Sequence, residues 1–196
     1  MKAVHDFLIT PKGGRYNNTK QIGDKQLITN TDMSNHRYIN REAIVKSVPT
    51  INKTDIEVGD EIIIHHNVFR RWYNMHCEER NSRGYFDEKH YLAQLDQVYL
   101  YKKNNEWKAL DGWCFVQPLK STDHWDNNPE KPLMGIIKYT DGSFKKGDLI
   151  GFLPKIEHEF IINDKRLYKI MTKFITIKYE YQGDEEEYNP SWAKSS

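Results

Sequence analysis

Cysteine is scarce in this chain. Only Cys77 and Cys114 occur among 196 residues, too few for a disulfide framework and compatible with a reducing compartment. Long hydrophobic runs are absent as well. Nothing approaches the roughly 20 apolar residues of a membrane-spanning helix, and the first residues lack the apolar core of a secretory signal. The expectation is a cytoplasmic protein with no membrane partner. Neither sign of charge is in excess, with 29 basic against 28 acidic side chains, so no whole-chain field draws in nucleic acid or an anionic bilayer. There is no glycine-rich phosphate loop, no GxGxxG fingerprint and no nucleophile elbow. Paired acids such as Glu78-Glu79 lie in polar loop sequence. Catalysis is left without footing, and the chain is expected to be neither an enzyme nor a cofactor carrier. Helical periodicity over ten or more residues, with caps, is missing too.

What is present is alternation. The segments 7–11, 41–48, 60–69, 91–103, 112–118, 133–139, 148–154 and 173–181 are short, rich in β-branched and aromatic residues, and bounded by turn-formers such as "TDGS" and "VGDE". That is the signature of strands. An all-β protein follows, and many short strands at close spacing point to small barrels or a sandwich.

The order of these segments recurs. "HDFLITPK" (5–12) answers to "DGWCFVQP" (111–118), each an opening strand that ends in Pro and a polar loop. "EAIVKS" (42–47) answers to "MGIIKY" (134–139). "IEVGDEIII" (56–64) answers to "SFKKGDLIGF" (143–152), where Gly59-Asp60 and Gly147-Asp148 make the same tight turn into an apolar strand. "DEKHYLAQLDQVYLYK" (87–102) answers to "NDKRLYKIMTKFITIK" (163–178), a strand-turn-strand ending. A tandem duplication is expected, with domains at 1–103 and 110–181, a short polar connector within 102–110, and an acidic, polar tail at 182–196.

The first repeat resembles the GroES-type co-chaperonins. His5-Asp6 opens an alternating strand, a long polar loop follows at about 12–41, then Ala43 to Val48, Val58-Gly59-Asp60, Tyr91-Leu92 and Asp96 to Leu100. The resemblance extends more faintly to the core strands of the second repeat and implies two tandem GroES-like β-barrels. In that family a mobile loop after the first strand docks on a chaperonin through a short hydrophobic segment. Gln26, Leu27, Ile28 and Thr29 lie in the matching place. The implied activity is that of a co-chaperonin ring, a homo-oligomer that caps a GroEL-type chaperonin and assists folding. Strands at 2–10 and 174–181 would be the edges that pair between neighbouring subunits.

The chain also departs from the family. The second repeat's loop, 119–132, is shorter and has no aliphatic pair, and beyond Leu119 at its start its one large apolar residue is Trp125. The segments that roof the family's dome are short here, and 67–86 is an insertion. Divergent co-chaperonins encoded by some bacterial viruses are similar in their open top, which would place this chain in a host cytoplasm. The rival reading is a structural ring or virion component that keeps the fold without chaperonin activity.

Two further groups of residues invite a function. Arg70, Arg71, Trp72 and Tyr73 interleave cations with aromatic rings, a pattern that suits a protein interface or single-stranded nucleic acid. The balanced net charge favours the interface. His65, His66, His76 and Cys77 match no zinc spacing, and neighbouring histidines on a strand point to opposite faces, so no metal is expected. Cys114, inside an apolar strand, reads as a small hydrophobe.

Overall fold

The structure is a computed structural model that describes residues 2–29, 31–32, 35–122 and 128–195. Its strands are β1 (Phe7–Pro11), β2 (Thr19–Ile22), β3 (Lys25–Ile28), β4 (Glu42–Ser47), β5 (Glu61–Ile64), β6 (Arg71–Tyr73), β7 (Glu79–Asn81), β8 (Tyr91–Ala93), β9 (Val98–Lys103) and β10 (Glu106–Ala109). They continue with β11 (Trp113–Lys120), β12 (Glu130–Thr140), β13 (Leu149–Phe152), β14 (His158–Ile162), β15 (Lys165–Met171) and β16 (Ile175–Tyr179). Only single 3-10 turns interrupt them among the described residues. The protein is all-β, and no described helix is long and apolar enough to cross a membrane. The chain divides into two compact units, Met1–Glu106 and Trp107–Ser196.

One sheet runs β10-β9-β5-β4-β1-β8 and the other β14-β15-β11-β12-β13-β16. No pairing among the described residues joins the two ends of either sheet. Within them one five-strand order is shared: β8-β1-β4-β5-β9 matches β15-β11-β12-β13-β16. The match extends to irregularities. The opening strand slips register at Leu8/Ile9 in the first sheet and at Phe115/Val116 in the second. The third strand slips at Ile63/Ile64 and at Gly151/Phe152. A bulge bends its strand and tightens the local twist, so both sheets coil at the same two places. Single 3-10 turns, Leu95–Gln97 and Thr172–Phe174, precede the final strand in each.

The Gly-Asp turns are equivalent bond for bond. Gly59, at φ +98, donates its N–H to the Val45 carbonyl at 2.8 Å, and Gly147, at φ +93, donates to Ile137 at 2.8 Å. Val45 and Ile137 donate back to the Asp60 and Asp148 carbonyls, each at 3.0 Å. The Asp60 and Asp148 carboxylates accept from the N–H of Glu57 and Lys145 at 2.8 and 3.0 Å. A left-handed residue is needed at the crossing, and glycine adopts it without strain. Around these turns Val45, Ile62, Ile64 and Leu100 are buried in the first unit. Cys114, Val116, Ile137, Ile150 and Ile170 form a core cluster in the second.

Three expectations need correction. The strings 5–12 and 111–118 align one residue out, because the matching bulges superpose Ile9 on Val116 and Pro11 on Pro118, and 87–102 against 163–178 is out by one as well, because Tyr91 superposes on Tyr168. The strand expected at 2–10 is not an edge, because β1 is bonded to β4 on one side and β8 on the other. Ahead of it, the carbonyls of Ala3 and Val4 accept from Thr50 and Ile51. The C-terminal segment is also less exposed than its charge suggests. Pairing of β15 with β11 ends at Val116, which leaves the last residues of β11 with a free side, and the tail takes it. Tyr188 donates to Pro118 at 2.8 Å, Lys120 donates to Glu186 at 2.8 Å, and Pro190 and Ala193 are buried. Trp192 stays 49% exposed, with the Arg166 guanidinium 5.8 Å from its ring centroid.

Candidate functional site: a braced hairpin on the first unit

The loop between β1 and β4 carries its own structure. Thr19 opposes Ile28, Lys20 opposes Leu27, Gln21 opposes Gln26, and Ile22 opposes Lys25. Gly23-Asp24 is therefore a two-residue turn, and Gly23 supplies the positive φ, +59, that such hairpins need at their first turn residue. Two of the expected docking residues brace this hairpin. Gln26 Nε2 donates to Thr19 Oγ1 at 3.1 Å, and Thr29 Oγ1 donates to the Asn18 carbonyl at 2.9 Å. The other two are left to solvent: Leu27 is 53% and Ile28 60% exposed, with Ile22 at 58%. Directly opposed residues share a face and successive ones alternate. Leu27 and Ile22 thus stand on one face and Ile28 on the other. A face-on partner would meet Leu27 with Ile22 rather than the sequence-adjacent pair.

The foot of the loop is zipped and clamped. Asn17 donates to Tyr38 at 2.7 Å, Asn40 donates to Arg15 at 3.2 Å, and the Asn40 amide donates to the Lys12 and Gly14 carbonyls at 2.9 and 2.8 Å. Arg15 then reaches across to the 67–86 insertion. Its Nε donates to the Phe69 carbonyl at 2.7 Å and its Nη2 to Arg70 at 3.1 Å, while its guanidinium lies 5.3 Å from the Tyr91 ring centroid. Tyr16 accepts from the Arg71 N–H at 3.1 Å. The insertion thus supports the loop. Its far end is fixed as well, because Leu92 of β8 donates to the Gly84 carbonyl at 2.6 Å.

That geometry bears on Arg70 to Tyr73. Arg71 is held by Glu79 at 3.4 Å and lies 5.2 Å from the Tyr16 ring centroid, and Arg70 lies 5.7 Å from that of Trp72. Trp72 and Tyr73 are successive residues of β6 and stand on opposite faces of the β6–β7 ribbon. They form no single stacking platform for bases. At the ribbon's tip Met75 is almost fully exposed.

The histidines also differ from the sequence reading. β5 ends at Ile64, so His65 and His66 do not alternate on a strand. His65 caps a 3-10 turn, His66–Val68, by accepting the Asn67 N–H at Nδ1. The two rings stack at 4.3 Å, and His36 from the loop lies 5.4 Å from His66. His76 and Cys77 sit instead at the β6–β7 turn. Among the described residues no group of three or more His, Cys, Asp or Glu side chains is placed to hold a metal ion. Burial, then the neighbouring His65, Arg41, His36 and Arg70, pushes the His66 pKa down from 6.5 to about 3. The unfolded chain takes up this proton near pH 6.5 and the folded chain only near 3. The stability His66 contributes is therefore complete above about pH 6.5 and is lost as pH falls from there toward 3. Thermal denaturation between pH 7 and 4 should show a falling Tm, and His66→Gln should flatten that fall.

In the second unit Cys114 is fully buried in β11, and burial pushes its thiol up to about 12. Trp125 lies outside the described residues. The foot of that unit's loop is held by different chemistry. Arg166 pairs with Glu130, and with Glu159 at 2.7 Å, and it donates to the Tyr168 hydroxyl at 2.7 Å. Comparison with models of protein families, with curated proteins and with solved structures finds no match for this chain.

Proposed function

We propose that the chain is a tandem co-chaperonin of GroES type. Each unit is a GroES-like barrel left open between its end strands, and the chain assembles as a ring. The β2–β3 hairpin caps a GroEL-type chaperonin. The observation that carries this reading is the exposure of Ile22, Leu27 and Ile28 on a hairpin that is already formed. Burying two such side chains yields roughly 3–6 kcal/mol, whereas ordering one free residue costs about 1–2 kcal/mol. An unstructured loop spanning 12–41 would spend that gain many times over. The hairpin and zipped foot leave far less to order, so weak, releasable binding becomes affordable, and several loops on one ring add their affinities.

One observation favours a second reading, a structural ring or virion component. Among the described residues only the first unit shows such a hairpin, and the segment between β11 and β12, 121–129, is shorter than the one between β1 and β4. Half the domains would then lack a docking element. Co-elution of the purified protein with a bacterial chaperonin, with and without ATP, separates the two. Nucleotide-dependent co-elution supports the lid. A stable assembly of the chain alone that ignores the chaperonin in both conditions supports the structural ring.

A further inference from the structure

The second unit contains a cavity of about 210 Å³ at the open end of the β14–β15 hairpin. Its floor is one face of three strands. Trp113 of β11 opposes Met171 of β15, and Lys169 of β15 opposes His158 of β14. Opposed residues share a face, as do residues two apart on one strand, so all four line the same side. Lys155 and Phe174 close it from the segment after β13 and from the 3-10 turn before β16.

The lining is cationic and apolar, and no carboxylate belongs to it. Lys169 is 6% exposed, and its Nζ lies 4.2 Å from the Trp113 ring centroid. Lys155 sits at φ +63, a left-handed conformation that strains a residue with a side chain. Such strain tends to collect at ligand clamps.

The first unit supplies an internal control. The shared bulges superpose Ile9 on Val116 and Tyr91 on Tyr168. By that register Leu92 stands where Lys169 is, Asp6 where Trp113 is, Gln94 where Met171 is, and Gln97 where Phe174 is. One backbone thus accepts both sets, and strand packing does not by itself call for a lysine against a tryptophan at this point.

We propose that this cavity binds a small organic anion, a carboxylate carried on an apolar and preferably aromatic body. The carboxylate accepts hydrogen bonds from Lys155, His158 and Lys169, and the body packs on Trp113, Met171 and Phe174. Size agrees: a dry cavity of about 150 Å³ in another protein takes benzene, so the larger volume here admits a ring with a short acid chain.

The test is a titration of the full chain with 3-phenylpropanoate, with its neutral amide, and with inorganic phosphate. Binding is followed at the Trp113 indole N–H by NMR, assigned with Trp113→Phe. The acid should saturate the site and bind at least about tenfold more tightly than the amide, with phosphate weaker than the acid. Lys169→Leu, which installs the residue found at the matching place in the first unit, and Lys155→Met should each weaken the acid at least about fivefold and leave the amide unchanged. Should Lys169→Leu fail to fold, the exposed Lys155 still decides. Equal binding of acid and amide, phosphate as tight as the acid, shifts that never saturate, or indifference to Lys155→Met would each overturn the proposal.

Discussion

Replacing Leu27 and Ile28 together by Ser is expected to abolish nucleotide-dependent co-elution with a chaperonin, with Tm and assembly mass unchanged. The two side chains touch solvent rather than core, so their loss removes no packing from the first unit. Backbone pairing and the bonds from Gln26 and Thr29 stay in place. On the partner's side the change removes about 1.5–3 kcal/mol of apolar burial for each side chain the groove covers, a factor of roughly ten or more in affinity per loop, multiplied over every loop engaged at once. Single variants refine the result. If a groove takes the hairpin face-on, Ile22→Ser should weaken capture as much as Leu27→Ser, while Ile28→Ser does less. A fall in Tm instead would place the pair in the domain's own core and remove the docking reading.

The second large effect concerns a glycine. Gly135 in β12 opposes Pro118 of β11 and Ile150 of β13. A Cβ there would lie 2.5 Å from the Gln117 carbonyl oxygen and 2.5 Å from Val116 Cγ1. The first of these is backbone and cannot rotate away. Gly135→Ala should therefore force β11 and β12 apart at the middle of the second sheet. Overpacking of this kind costs about 1–3 kcal/mol, and each kcal/mol lowers Tm by roughly 4–8 °C in a unit this size. The first sheet has Ala43 at the matching place, opposing Pro11 and Ile62. Ala43→Gly should cost about 0.5–1 kcal/mol. Differential scanning calorimetry reads both, and an unchanged Tm for Gly135→Ala would show that the second sheet opens as freely as the first.

The parts of this fold that could be read in the sequence are those where one face is buried. β1, β4, β5, β9, β11, β12 and β13 all show alternation or an apolar run, because packing demands it, and β16 alternates although its apolar face is only partly covered. The hairpins β2–β3 and β6–β7 show neither, since solvent meets both of their faces and leaves no period to detect. β10 and β14 escaped for a related reason, being edge strands with mixed polarity. Gly59-Asp60 and Gly147-Asp148 revealed the repeat because a left-handed crossing leaves little choice of residue. The bulges at Leu8/Ile9 and Phe115/Val116 left no such mark, which is why aligned strings ran one residue out. At the candidate site, the exposed pair Leu27-Ile28 stood out by its polar surroundings. The clamp by Arg15 and Tyr16 did not, because its partners lie across the insertion, mostly on backbone carbonyls that sequence does not display.

That clamp has a mechanical consequence. A loop tied only at its two ends behaves as a slack rope, and its tip wanders through a large volume between engagements. Here the foot is anchored along Arg15 to Asn17 and Tyr38 to Asn40, and the insertion beneath it is fastened in turn to β8. The hairpin is a cantilever set into a wall. Load applied at Leu27 passes toward the sheet through the bonds of Arg15, Asn17 and Asn40 as well as along the backbone.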